Sequence, residues 1–185
     1  MEASQAEMSV VGRMLRVFYT PSQTFEAVAK QHSAADWLVP TAVAALGFCF
    51  VSEAKITRQI PGEMFAAVPI LTFMVLFINA AIYLVAGKVL GGLLNYGQCL
   101  TITAYSLLII IPQQIALLLL AKETTNVQLV LGVFPFTVWW STVFGIGLSI
   151  VGQIERSRAY MGTAALALIF LIGYVAEFQF HWHWP

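Results

Sequence analysis

Residues Met64–Leu90 read MFAAVPILTFMVLFINAAIYLVAGKVL, 27 positions with Lys88 as the one charged side chain. A bilayer core of about 30 Å needs roughly 20 apolar residues in a helix rising 1.5 Å per residue, so this stretch is long enough to span. Four more apolar stretches of that kind follow or precede it: Asp36–Ala54, Cys99–Ala121, Leu129–Ile154 and Ala159–Phe180. The expected fold is an all-α integral membrane bundle of five transmembrane helices over residues 36–180. An N-terminal cytoplasmic or interfacial amphipathic segment (1–35) precedes it and an interfacial tail (181–185) follows.

Composition agrees. The chain is 59% hydrophobic and 10% charged, against roughly 45–50% and 25% in soluble domains. With a formal net charge of +0 and nine scattered Lys and Arg, there is no basic face for nucleic acid. Cys49 and Cys99 lie in or beside apolar spans, where thiols serve as small packing residues. Met1–Glu7 is acidic and polar, unlike the start of a cleavable signal.

In Met8–Tyr19, apolar residues Val10, Val11, Met14, Leu15, Val17 and Phe18 recur at helical spacing with Arg13 and Arg16 between them. Thr20, Pro21 and Gln23 have the types of a capping box with proline at the first helical position, opening a second helix to about Gln31. Its apolar stripe would be Phe25, Val28 and Ala29. Such helices either lie on the membrane or pack against the protein itself.

Six cations (Arg13, Arg16, Lys30, Lys88, Arg156 and Arg158) fall on the N-terminal side of a five-span chain, and three (Lys55, Arg58 and Lys122) on the other. The positive-inside bias then puts the N-terminus in the cytoplasm and the C-terminus outside, with Trp37, Trp182 and Trp184 as interfacial anchors.

Phe18-Tyr19-Thr20-Pro21-Ser22-Gln23-Thr24-Phe25, followed by Trp37-Leu38-Val39-Pro40, resembles the start of the Yip family of Ypt/Rab-interacting membrane proteins. The likeness continues through Ala104-Tyr105-Ser106 to Pro112, Phe136-Thr137-Val138-Trp139, Gly145-Ile146-Gly147-Leu148 and the turn Arg156-Ser157-Arg158-Ala159-Tyr160. The resemblance implies a compact, prokaryotic-type member located in a cell membrane, in this case a bacterial inner membrane. The D-L-Y-G-P-F-W type motif of eukaryotic members is absent, so Rab binding is not implied.

Three groups of residues are candidates for function. Asn79, Gln113 and Gln114, beside Pro112, could form a polar cluster at the midplane that either ties helices together or lines a solute path. Ser141, Gly145 and Ser149, spaced by four, and the pair Gly87 and Gly91 would let helices approach closely, within the chain or in a homodimer. Glu177, His181 and His183 carry ligand types that zinc accepts, although their spacing matches no zinc motif.

Catalytic signatures are absent from the sequence: no H-E-x-x-H, G-x-S-x-G or phosphate-cradling loop occurs, and no cofactor is expected. The expected function is that of a non-enzymatic membrane protein acting through helix, lipid or membrane-protein contacts in membrane organisation or trafficking. The alternative is a small-solute permease or channel built on the amides.

Overall fold

The computed structural model of the protein describes the backbone of residues 9–31, 33–56, 63–120 and 126–181. Within these, the side chains at 50–56, 63–66, 114, 117–120, 126–133, 170–171 and 173–181 lie outside the description. The described residues form seven helices and no strand: α1 (Val10–Arg16), α2 (Pro21–Lys30), α3 (Ala35–Ile56), α4 (Glu63–Val89), α5 (Tyr96–Leu120), α6 (Asn126–Val151) and α7 (Arg156–His181).

Helices α3–α7 coincide with the five apolar stretches to within about three residues at each end. Each has 22 to 27 residues, about 33–40 Å of helix. By length and composition together, the described residues of two of them, Ala67–Val89 and Phe134–Val151, suffice to cross a bilayer. Pro40, Pro69, Pro112 and Pro135 sit inside α3, α4, α5 and α6 without ending them. Neighbouring helices and local adjustments can re-satisfy the freed carbonyls in such bundles.

Helix α5 is the axis of the bundle. It packs against α3, α4 and α6, and α6 in turn packs against α2 and α7. Residues 99–109 of α5 are all buried. Asp36 meets Tyr105, and the position a Cβ would take on Gly47 lies 3.0 Å from Ile111, so α3 and α5 run parallel. Trp37 lies edge-on to Phe77 at 5.8 Å. Phe48 shares a cavity of about 230 Å³ with Val68, Leu71 and Thr72, so α4 runs antiparallel to α3.

The turns at one end of the bundle are interlocked. Helix α4 ends with Gly92 N–H donating to the Gly87 carbonyl (2.8 Å) and Gly91 N–H to that of Lys88 (3.0 Å). This is the Schellman pattern, and Gly91 supplies the left-handed residue with φ +86°. Leu93 N–H then donates to the Gly152 carbonyl (2.9 Å) in the α6–α7 turn. Asn95 and Gln98 cap α5 reciprocally, each backbone N–H donating to the other's side-chain oxygen at 2.9 Å.

The amphipathic segment docks at this same end and differs from its sequence reading in three respects. Helix α1 is shorter than Met8–Tyr19, beginning after Ser9, whose hydroxyl accepts from Gly12 N–H at 3.1 Å. The capping box at α2 does not form: Thr20 makes no side-chain cap, and its hydroxyl instead donates to the Arg16 carbonyl at 3.5 Å. Gln23 is drawn away to accept from Arg16 Nη1, also at 3.5 Å. The buried stripe of α2 is Pro21, Thr24, Phe25 and Val28, with Ala29 exposed. Phe25 lies edge-on to Tyr105 at 6.1 Å, and its ring edge is 3.0 Å from where a Cβ on Gly147 would stand. Helix α2 is thus wedged beside α5 and α6, the second of the two arrangements open to it.

Candidate functional site

Between α1, the start of α3 and the centre of α5 lies a buried ion pair. Arg13 Nη2 is 2.7 Å from Asp36 Oδ1, with the side chains 6% and 0% exposed. Burying two charges costs several kcal/mol per ion, so the pair persists only if its geometry and hydrogen bonds compensate. Here they do. The Tyr105 hydroxyl donates to Asp36 Oδ1 at 3.2 Å, while Ser33 donates its backbone N–H (2.9 Å) and its hydroxyl (3.0 Å) to Oδ2.

Each partner is delivered by local structure. Asp36 lies in the first turn of α3, where a negative charge is favoured by the helix dipole, and its bond back to Ser33 N–H caps the helix. Arg13 is set by α1, whose Arg13 carbonyl accepts from the buried Thr24 hydroxyl at 3.3 Å. Tyr105 comes from the buried middle of α5 and carries Phe25 of α2 against its ring. Three helices, α1, α3 and α5, therefore meet on one carboxylate, with α2 packed behind Tyr105. A carboxylate offers about four acceptor sites, and Asp36 uses them on Arg13, Tyr105 and two donors of Ser33. Its acceptor sites are thus taken by donors of the chain itself, and the arrangement is a clamp.

This clamp was not read from sequence. The signal was present: Val10, Arg13, Met14 and Val17 are spaced by three and four, which puts Arg13 on the apolar face of α1. The wedged α2 and every member of the clamp except Arg13 belong to the part of the chain that a family comparison covers. The family model for the Yip1 domain matches residues 15–176. The chain belongs to the Yip1 domain family. No curated protein and no solved structure gives a match. The matched region of this Yip1 domain holds Asp36, Ser33 and Tyr105 and begins two residues after Arg13.

The other candidate residues of the Yip1 domain fall as follows. On α6, a Cβ on Gly145 would stand 2.8 Å from the Tyr160 ring and 3.0 Å from Thr163 Oγ1 of α7. Ser141 donates to the Val138 carbonyl at 2.9 Å, and Ser149 is half-buried. Gly147 faces the other way: a Cβ there would stand 2.8 Å from Ile102. It is a second close approach on α6 that the four-residue spacing did not include. A Cβ on Gly87 would meet Leu94 of the following loop, whereas one on Gly91, in the turn, would meet nothing within 4 Å, so the two do not share a helix partner.

Of the three amides, Asn79 and Gln113 stand at different levels of the bundle. Asn79 is half-buried two residues past Phe77, which stands at Trp37, and Gln113 is half-buried two past Ile111, which stands at Gly47. Trp37 and Gly47 are about 15 Å apart along α3. The Gln114 side chain lies outside the described residues, as do those of Glu177 and His181 on α7, and His183. Among the described residues, no three His, Cys, Asp or Glu side chains are grouped to hold a metal.

Proposed function

We propose that this Yip1 domain protein is a non-enzymatic scaffold of the bacterial inner membrane. It spans five times with the N-terminus in the cytoplasm and works through contacts with a membrane-protein partner, a second copy or lipid. The observation that most supports this reading is the Arg13–Asp36 clamp. Ionisable groups inside a bundle ordinarily mark a substrate or ion path, and here the buried pair is spent on joining α1, α3 and α5. The faces left over are apolar, among them Ile70, Leu71, Met74 and Ile78 of α4. Such faces suit lipid or another helix.

Purification in mild detergent, followed by mass spectrometry of retained proteins and lipids, tests the proposal. The expected result is a stoichiometric protein partner, a second copy or an enriched lipid class. Protein that retains none of these and moves a polar solute across reconstituted vesicles would overturn it. Orientation is tested with reporters fused after Pro185: one that is active only outside the cell should work, and one that fluoresces only in the cytoplasm should stay dark.

A further inference from the structure

Helix α1 is inside out by the standard of a soluble protein. Its Arg13 is 5% exposed, whereas Val11 and Leu15 are each 60% exposed, and Phe18 and Tyr19, in the turn that follows, are 37% and 67% exposed. These four side chains recur at spacings of four, three and one, which makes one apolar ridge along the outer side of the helix. Arg16, also exposed, borders it.

The depth of that ridge is fixed. The 2.7 Å contact between Arg13 and Asp36 ties α1 to the first turn of α3. The outward apolar surface of α3 begins there, at Leu38 (42% exposed) and Val39 (37%). The ridge is therefore continuous in level with the edge of the face that α3 turns to lipid. An apolar stripe flanked by a cation suits the headgroup boundary, where such a face sinks about 5–10 Å and the cation reaches phosphate. A second protein is a poorer fit, because four side chains of a two-turn helix fall well short of the roughly 800 Å² per partner that a stable interface buries.

We infer that the outer face of α1 (Val11, Leu15, Phe18 and Tyr19) inserts into the adjacent lipid leaflet, so that the clamp holds α1 as an interfacial float on the bundle. The inference rests on the reading of a membrane-spanning chain, and its test separates the two. In a Cys49→Ala background, where Cys99 stays buried and unreactive, single cysteines replace Leu15, Val43 and Glu26. Each is labelled with an environment-sensitive fluorophore in vesicles containing anionic lipid. The label at Val43, outward on α3, should be quenched by doxyl groups on the acyl chains. The label at Glu26, on the exposed side of α2, should be quenched by aqueous iodide. The Leu15 label should be blue-shifted and quenched by a doxyl group near the headgroup more than by one near the chain end. Val11→Cys repeats the measurement if Leu15→Cys folds poorly. Iodide quenching at 15 equal to that at 26, or shielding from both quenchers, would overturn the inference while Val43 remains lipid-quenched. A Val43 label that lipid does not quench would overturn the spanning reading and the inference with it.

Discussion

Helices α4 and α5 are alike in sequence terms, with 27 and 25 residues, few charges and one internal proline each, yet the bundle uses them in opposite ways. Helix α5 is buried on every side from residue 99 to 109. Among its described residues, helix α4 buries only a seam of Thr72, Leu76, Ala80, Tyr83 and Gly87, spaced by three or four, and turns Ile70, Met74, Ile78 and Val85 outward. The buried stretch of α5 is the more polar of the two. It contains Thr101, Thr103, Tyr105 and Ser106, and the hydroxyls of Thr101, Thr103 and Ser106 donate to carbonyls four residues back at 2.7–3.1 Å. Lipid tails are as apolar as leucine, so burying leucine against another helix gains little. What orders such helices is polar groups that need partners and small residues that admit neighbours, and these point inward.

The sharpest way to break this comparison is Asp36→Ala. It strands the Arg13 guanidinium among apolar groups, and loss of one member of a buried pair costs about 3–5 kcal/mol. Thermal unfolding in detergent should show the largest drop of any change named here. The double variant Arg13→Met with Asp36→Leu should recover most of it, since no charge is then left unpaired. If Asp36→Ala costs no more than the outward change Ile78→Ala on α4, the polar interior is not what orders the bundle.

Gly145→Leu comes next. The new side chain would have to displace Tyr160 or Thr163, and overpacking of that kind costs about 1–3 kcal/mol. Ala81→Leu on α4, at an exposed position, should leave the same melting curve unchanged. Equal effects at the two sites would show that α6 and α7 part as easily as α4 meets lipid.

A smaller loss is expected from Tyr105→Phe. It removes one of four donors to Asp36 and leaves the other three, so about 1.5 kcal/mol should be lost, the low end for a hydrogen bond to a charged group. Denaturant titration with both proteins in the same micelle would measure it. The smallest effect has the opposite sign. Tyr83 of α4 lies against Phe144, ring centroids 4.2 Å apart, and its hydroxyl finds no hydrogen-bond partner among the described residues. Tyr83→Phe removes that buried group and should be neutral or stabilising by up to about 1 kcal/mol. A clear loss of stability would mean that the hydroxyl of α4 is as fully engaged as that of Tyr105.

Much of this architecture is legible along the chain. The five apolar stretches give α3–α7 because an apolar run of bilayer length has few alternatives to a helix in which every backbone group is paired. The periodicity of residues 10–28 gives two short amphipathic helices, and the motifs around Pro21, Trp37 and Tyr105 give the family. Capping was less legible. Thr20 and Gln23 have the right types and spacing, but Arg16 offers its carbonyl to one and its guanidinium to the other.

What the sequence by itself determined, then, is the set of elements, because periodicity and apolar length act locally and each helix carries its own instructions. Only the tertiary structure decided which polar groups meet. Asp36 pairs with Arg13, 23 positions earlier, and accepts from Tyr105, 69 positions later. Nothing at any of the three positions names its partner. Asn79 and Gln113 share a polar character but stand at different levels of α3, because contacts along the helices set their depth. A charge states that it needs a partner; packing selects which one.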